Sequence, residues 1–308
     1  MHDIYQKTIA KKISFNGIGL HSGLMSSITL LPAEKNVGII FKRVDKKENN
    51  IIKANFKNVT NSKLCTTIKN SSELTVSTVE HLMAAFYITG IDNILVEIDN
   101  SEVPIMDGSS KNFIEGIFRA GVKSQIEKRK FIKVQNEIEL KEDSKKISIK
   151  PSDYTFDVNF EINYKNKFIN KQNNHVDFYI DELEDIYSSR TFCLFEEIEK
   201  IKKIGLARGG SLDNAIVIKD DKVMNSGGLR NEKEFVNHKI LDLAGDFMLS
   251  GYRIIGSVFC SQGGHNLSNA FLRKFLDDNS NFTLITLPQI KIVKQSNPKF
   301  ESKLAVNS

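Results

Sequence analysis

The chain repeats itself once, and that repeat constrains its fold more than any other feature. In the first half a helical run, "STVEHLMAAFYIT", stops at Gly90 and runs into the apolar strand "NILVEI". In the second half "FVNHKILDLAGDFMLS" stops at Gly251 and runs into "RIIGSVFC". Both helices carry Val-x-His, at Val79/His81 and Val236/His238. Alternating or apolar strands precede each: "KTIAKKISF", "SSITLL" and "VGIIFKR", then "KFIKVQNEIEL", "KKISIKP" and "TFDVNFEI". A turn and a second helix follow each, "KNFIEGIFRA" and "LSNAFLRKFL". The second copy is four residues longer from His to Gly, about one helical turn. This order predicts an α+β chain of two domains with like topology, each a mixed β-sheet with two helices. The polar stretch 121–130 reads as the junction. The expected domains are 1–125 and 126–292, with 293–308 as a flexible tail.

The second helix poses a chemical question. On a helical wheel Val236, Ile240, Leu243, Ala244 and Phe247 form one apolar stripe, while His238 and Asp242 lie together on the other side, at i and i+4. The plain reading is a solvated outer face. The alternative is half of a metal site, which needs a third ligand from elsewhere. If the two domains pack with pseudo-two-fold symmetry, His81 faces His238. His81, His238 and Asp242 then form a two-His, one-carboxylate set with an open position, the arrangement of a catalytic zinc. Such an ion lowers the pKa of bound water to about 7.

Glu80 precedes His81 and is placed to act as a general base. "STVE" at 77–80 is equally a capping box, with Ser77 as N-cap and Glu80 at N3. His265 follows two glycines at a strand end. It is either a turn histidine or one presented in a cleft, where Asp246 could orient it.

Composition excludes several classes. The chain has 308 residues, 40% of them hydrophobic and 26% charged, as in ordinary globular proteins. The start, "MHDIYQKTIAKK", has no apolar run and is not expected to be a secretory signal. No stretch approaches the length of a transmembrane helix. Cys65, Cys193 and Cys260 are too far apart for a CxxC site or a disulfide framework, which fits a reducing cytoplasm. The net charge of +5 is scattered. It suits an anionic substrate or a transient membrane-surface contact, with no nucleic acid as partner.

One segment lacks a counterpart in the first half: "RTFCLFEEIEKIKKIGLARGGSLDNAIVI", read as helix, glycine turn and strand. Leu194, Ile198, Ile201 and Gly205 share one side of its helix. Ordinary core packing accounts for that; so does an insert whose apolar face holds a lipid chain.

The motifs "GIGLHSG", "STVEHL", "GIDN", "PIMDGS", "SRTF", "GGSLDNAIV", "HKILDLAGD" and "GGHNLSN" occur in this order over nearly the whole chain. Together they resemble the UDP-3-O-acyl-N-acetylglucosamine deacetylases, zinc amidases of lipid A biosynthesis. The resemblance implies helices sandwiched between two sheets, small inserts in each domain, and one zinc ion on His81, His238 and Asp242. It implies Glu80 as general base, His265 as the group that stabilises the oxyanion or protonates the leaving amine, Asp246 as its support, and Thr191 as a hydroxyl holding the oxyanion. It assigns Phe192, Lys239, Leu20, Phe160, Ile198, Ser211 and Leu212 to substrate binding, and it makes the unpaired insert the passage for the acyl chain. The implied substrate is a UDP-linked acylated glucosamine, hydrolysed by a cytoplasmic monomer. Gln262 stands where the family often has a basic residue near the nucleotide. Cys65 matches a family cysteine close to the site, a candidate ligand for an extra, inhibitory metal. The rivals are another metallohydrolase such as a peptidase, a non-catalytic binder of UDP-sugar lipids, and a non-haem iron oxygenase, which also uses two His and a carboxylate. The absence of H-E-x-x-H argues against a zincin.

Overall fold

A computed structural model describes residues 4–287; the tail expected at 293–308 lies outside the described residues. The duplication is borne out in five strands of each half; the second sheet has two more, Lys130–Val134 and Phe282–Thr286. The first sheet has a central strand, Ile94–Ile98, flanked antiparallel by Met25–Pro32 and parallel by Ile39–Arg43. Ile13–Ile18 and Ile51–Lys53 extend it antiparallel at the two edges. The second sheet has Arg253–Ser261 at its centre, flanked antiparallel by Lys145–Lys150 and parallel by Phe156–Asn163. Ile138–Glu142 and Lys171–Asp177 extend it in the same sense. Two hairpins around a strand that returns from a helix occur once in each half.

The helices, numbered along the chain, are α1 (Glu80–Thr89), α2 (Lys111–Ala120), α3 (Glu184–Tyr187), α4 (Phe195–Lys203), α5 (Glu234–Met248) and α6 (His265–Asp277). Contacts run from the first sheet through α2, α1, α5 and α6 to the second sheet, so the helices lie between the sheets. Gly90 caps α1 and Gly251 ends the turn after α5, with φ of 80° and 82°. That left-handed conformation suits glycine and turns the chain into each following strand.

The helix-to-helix contact explains a feature that patterning misreads. All of α5 except Lys239 is buried, so the His238/Asp242 side is not a solvated face; it lies against α1. Gly245 makes this approach tight enough: a Cβ there would sit 2.1 Å from the backbone oxygen of Glu80. Gly245→Ala therefore sets a helix-propensity gain of up to about 1 kcal/mol against an overlap with backbone that no rotamer relieves. Overpacking of this kind costs about 1–3 kcal/mol. Thermal unfolding should show a net loss of stability, accompanied by lost activity as the two helices part.

Two other expectations change. The stretch 121–130 contains a strand, Val122–Lys128, paired antiparallel with Tyr5–Ile9. The unpaired segment opens with a strand, Phe192–Leu194, parallel to Ile216–Lys219 across α4, and Lys222–Val223 completes a three-stranded sheet. A smaller three-stranded sheet in the first half (Val59–Asn61, Thr67–Lys69, Thr75–Val76) is its counterpart as an insert.

Candidate metal centre and cavity

His81 lies in the first turn of α1 and His238 and Asp242 are one turn apart on α5. Packing the two helices brings one ligand atom of each residue within 4.8 Å of the others. Asp242 Oδ1 is 3.5 Å from His81 Nε2 and 3.4 Å from His238 Nε2. The two imidazoles meet edge to face, with centroids 5.0 Å apart. Both His81 Nδ1 and Asp242 Oδ1 are buried without a hydrogen-bond partner. Buried polar atoms are ordinarily paired, so an orphaned carboxylate oxygen between two imidazole nitrogens fits a cation ligand set. Among the described residues this is the one such group of three.

The surroundings fix the state of each ligand. His238 Nδ1 is 3.0 Å from the carbonyl oxygen of Ser189. That oxygen can only accept, so Nδ1 carries the proton and Nε2 presents its lone pair to the site, as in many metal-bound histidines. Burial pushes the His238 imidazolium down to about 3, leaving the ring neutral. For Asp242 burial opposes ionisation, but the groups around it, the Lys239 ammonium among them, outweigh it and hold the carboxyl well below its usual range. Lys239 Nζ lies 3.2 Å from Asp242 Oδ2 and 5.8 Å from the centre of the Phe192 ring.

Ser189 is held by its neighbour. The buried Arg190 guanidinium pairs at 2.8 Å with Glu234, the fully buried first residue of α5. This ties "SRTF" to the start of the helix that carries His238.

Glu80 and His265 form a second layer. Glu80 Oε1 is 3.7 Å from His265 Nε2, and His265 Nδ1 donates to Asp246 Oδ2 at 2.9 Å. Burial pushes the Glu80 carboxyl up, with His265 and His81 pulling the other way. Burial disfavours the His265 cation, yet Asp246, Glu80 and Asp242 together push it up to about 10. A carboxylate raised towards neutrality beside an imidazolium is an acid–base pair. The capping box is not formed. α1 begins at Glu80, Val79 holds the N-cap position without a side-chain bond, and the Ser77 hydroxyl donates to Ser101 O instead. His265 opens α6 as its first residue rather than standing in a turn.

Thr66 is the residue the sequence did not reveal. Its backbone N–H donates to Glu80 Oε2 at 3.0 Å and its hydroxyl to Asp246 Oδ1 at 2.6 Å. One residue thus orients the carboxylate and the His265 support together. Its only signal was its place beside Cys65 in "KLCTT". Cys65 itself is buried, and burial pushes its thiol up to about 12; its sulfur is not among the three clustered ligand atoms.

Beside the ligands a cavity of about 390 Å³ is lined by Leu20, Thr191, Phe192, Ile198, Ser211 and Leu212 among others. Phe192 joins it to the centre: its ring lies 6.4 Å from that of His238 and 4.9 Å from that of Phe235. Apolar side chains of α4 face this space, and no residue of α4 is buried. An amphipathic helix normally covers its apolar side with protein; here that side borders an open cavity, which core packing does not explain. Of the residues assigned to substrate, Lys239 and Phe160 do not line the cavity; Lys239 stands beside Asp242 and Phe192 instead, and Phe160 lies apart. It is buried in the second domain under the turn before α6, where a Cβ on Gly263 would lie 3.5 Å from its ring, and it does not line the cavity. Gln262 stands in that turn with φ of 54° and its amide nitrogen 3.5 Å from Ser144 O.

Comparison with known proteins agrees with this geometry. The family model for UDP-3-O-acyl N-acetylglycosamine deacetylase matches residues 6–277. A UDP-3-O-acyl-N-acetylglucosamine deacetylase of Geobacter sp. (strain M21) is 42% identical over 283 residues, 92% of each chain. The protein of the same name from Citrifermentans bemidjiense is 42% identical over the same shares. That from Histophilus somni is 39% identical over 95% of this chain and 96% of its own. With likeness of this extent added to the ligand cluster, the acid–base pair and the cavity, the chain belongs to the UDP-3-O-acyl N-acetylglycosamine deacetylase family.

Proposed function

We infer that this protein removes the N-acetyl group from UDP-3-O-acyl-N-acetylglucosamine and releases acetate, an early step of lipid A biosynthesis. The observation that carries this reading is the junction of three parts: the three-ligand cluster, the Glu80–His265 pair beside it, and the apolar cavity that opens at Phe192. An apolar cavity beside the ligands suits an alkyl chain, and the H-E-x-x-H of a zincin peptidase is absent. A binder without turnover has no use for an acid–base pair whose members are shifted towards their working states.

His81, His238 and Asp242 hold one zinc ion. When bound, zinc supplies Lewis-acid polarisation of the acetyl carbonyl and acidifies a water at its open position. Glu80, oriented by Thr66, takes a proton from the attacking water. His265, kept protonated by Asp246, and the Thr191 hydroxyl offer hydrogen bonds to the developing oxyanion. A proton then passes from His265 or Glu80 to the leaving amine. Lys239 and Phe192 contact the sugar end of the substrate, while Leu20, Ile198, Ser211 and Leu212 enclose its acyl chain.

Two domains, dividing near residue 125, supply His81 from one side and His238 and Asp242 from the other. The chain works as a cytoplasmic monomer with at most transient membrane contact; among the described residues no helix is long and apolar enough to cross a membrane.

The direct test is acetate release from the UDP-linked acylated substrate by the purified protein. No release by folded, metal-loaded protein would refute the reading. The cavity has its own test. Ile198→Asp puts a charge on the half-buried cavity wall, where an unpaired carboxylate against an alkyl chain is costly. Catalytic efficiency towards a long-chain substrate should fall by at least about tenfold, equivalent to about 1.4 kcal/mol, with little change in melting temperature. Unchanged efficiency in the folded variant would remove the insert from the acyl site.

A further inference from the structure

Glu102 is a buried carboxylate, 2% exposed, with no part in the chemistry above. Its two oxygens accept three hydrogen bonds from two separate segments. Oε1 accepts from the backbone N–H of His21 at 2.8 Å and from the Thr78 hydroxyl at 2.9 Å. Oε2 accepts from the backbone N–H of Ser22 at 2.7 Å. The first segment is part of the cavity wall, which Leu20 and His21 line. The second is the approach to α1, two residues before Glu80 and three before His81.

Both segments bear the marks of being held. Thr78 has φ of 56°, a conformation that a β-branched residue adopts only when its surroundings impose it. The 19–24 loop folds so closely over the carboxylate that a Cβ on Gly19 would lie 2.4 Å from Glu102 Oε2. The same loop clasps the insert. His21 O accepts from Arg208 N at 3.3 Å, Leu20 O accepts from Gly209 N at 3.0 Å, and His21 Nδ1 accepts from Ala207 N at 3.4 Å. A continuous set of hydrogen bonds therefore runs from the insert, through the cavity wall, to Glu102 and on to the start of α1.

We propose that Glu102 is a positioning residue that locks the acyl-cavity wall to the start of the helix carrying Glu80 and His81, so that a well-seated acyl chain aligns the acetyl group on those residues. The proposal rests on the deacetylase reading, in which the cavity holds the acyl chain. Binding energy from a remote, non-reacting part of a substrate raises turnover only when it is tied to the geometry of the reacting centre. Glu102 is the tie. It acts through other residues and touches neither substrate nor metal ligand.

Glu102→Gln keeps the shape of the side chain but gives one terminus two N–H groups. Either orientation of the amide sets N–H against a backbone N–H of the 19–24 loop, at Ser22 or at His21, and so loosens the hold on the cavity wall. The measurement is kcat and KM for two substrates that differ only in the length of the 3-O-acyl chain. In the wild type the long chain should have the higher kcat. In Glu102→Gln that advantage should shrink by at least about tenfold, the scale of one lost charge-assisted hydrogen bond, with turnover of the short-chain substrate within about threefold of wild type.

Thr78→Ala cuts only the α1 side and should shrink the advantage in the same direction, while Thr78→Ser, which keeps the hydroxyl, should restore it. These two variants carry the test if Glu102→Gln does not fold. A folded Glu102→Gln or Thr78→Ala protein with the wild-type chain-length advantage overturns the proposal. Ile198→Asp measured alongside separates the two levels. If it abolishes the advantage and Glu102→Gln does not, the cavity reading stands and the coupling falls; if it too changes nothing, the acyl reading of the cavity falls.

Discussion

Glu80→Gln should keep its fold and its metal and lose at least about a hundredfold in turnover, since proton transfer by a positioned base is worth about 10²–10⁴ in rate. The substitution is nearly isosteric at a site only 3% exposed. The amide oxygen can still accept from Thr66 N–H, the bond that now measures 3.0 Å. Stability should therefore change by less than about 1 kcal/mol. What is lost is basicity, because a neutral amide takes no proton near pH 7. The pH profile gives the sign. The reaction needs Glu80 ionised, so the rate climbs as pH rises through its upward-shifted pKa. It also needs His265 protonated, so the rate declines as pH approaches about 10. In Glu80→Gln the rising limb should vanish. A zinc-loaded variant with near-wild-type turnover would show that Glu80 is not the base.

The second large effect concerns the ligands. A His238→Ala, Asp242→Ala double variant should bind no zinc tightly and lose at least about a thousandfold in turnover, since a bound ion supplies several kcal/mol of transition-state stabilisation. The lesion differs in kind from Glu80→Gln. It removes the buried carboxylate that pairs with Lys239, so stability should fall as well, by about 1–3 kcal/mol for a buried charged group left without its partner. Metal content separates the two cases: Glu80→Gln should retain zinc and the double variant should not. Equal turnover losses with equal zinc contents would mean that one of the two role assignments is wrong.

The duplicated fold was legible because it is written in local signals: helix periodicity, a glycine after each helix, an apolar strand after each glycine. Two hairpins and a returning strand in each half follow from those signals. His81, His238, Asp242, Glu80 and His265 stood out in the sequence because the chain has only six histidines and few carboxylates stand beside them, and the structure brings the five together. What stayed hidden depends on contacts between distant segments. The polar side of α5 looks solvated until α1 covers it, and nothing local to α5 says that it will. The capping box fails because Ser77 is drawn into backbone pairing near Ser101, a partner distant in sequence. Thr66 and Glu102 act by holding other residues across long stretches of chain, and neither belongs to a pattern that spacing can reveal. The assignment of Phe160 to substrate came from resemblance alone, and its burial in the second domain's core gives it no place on the cavity wall.

Acetate release from the UDP-linked acylated substrate should be measured on protein stripped by a chelator and then given one equivalent of zinc. For the wild type the expected result is about one zinc per chain as purified, loss of acetate release on stripping, and its recovery when zinc is returned. For the double variant no zinc is retained and no activity recovers. Full turnover by wild-type protein shown by elemental analysis to be free of metal, or full zinc occupancy in the double variant, would contradict a zinc centre built on His81, His238 and Asp242.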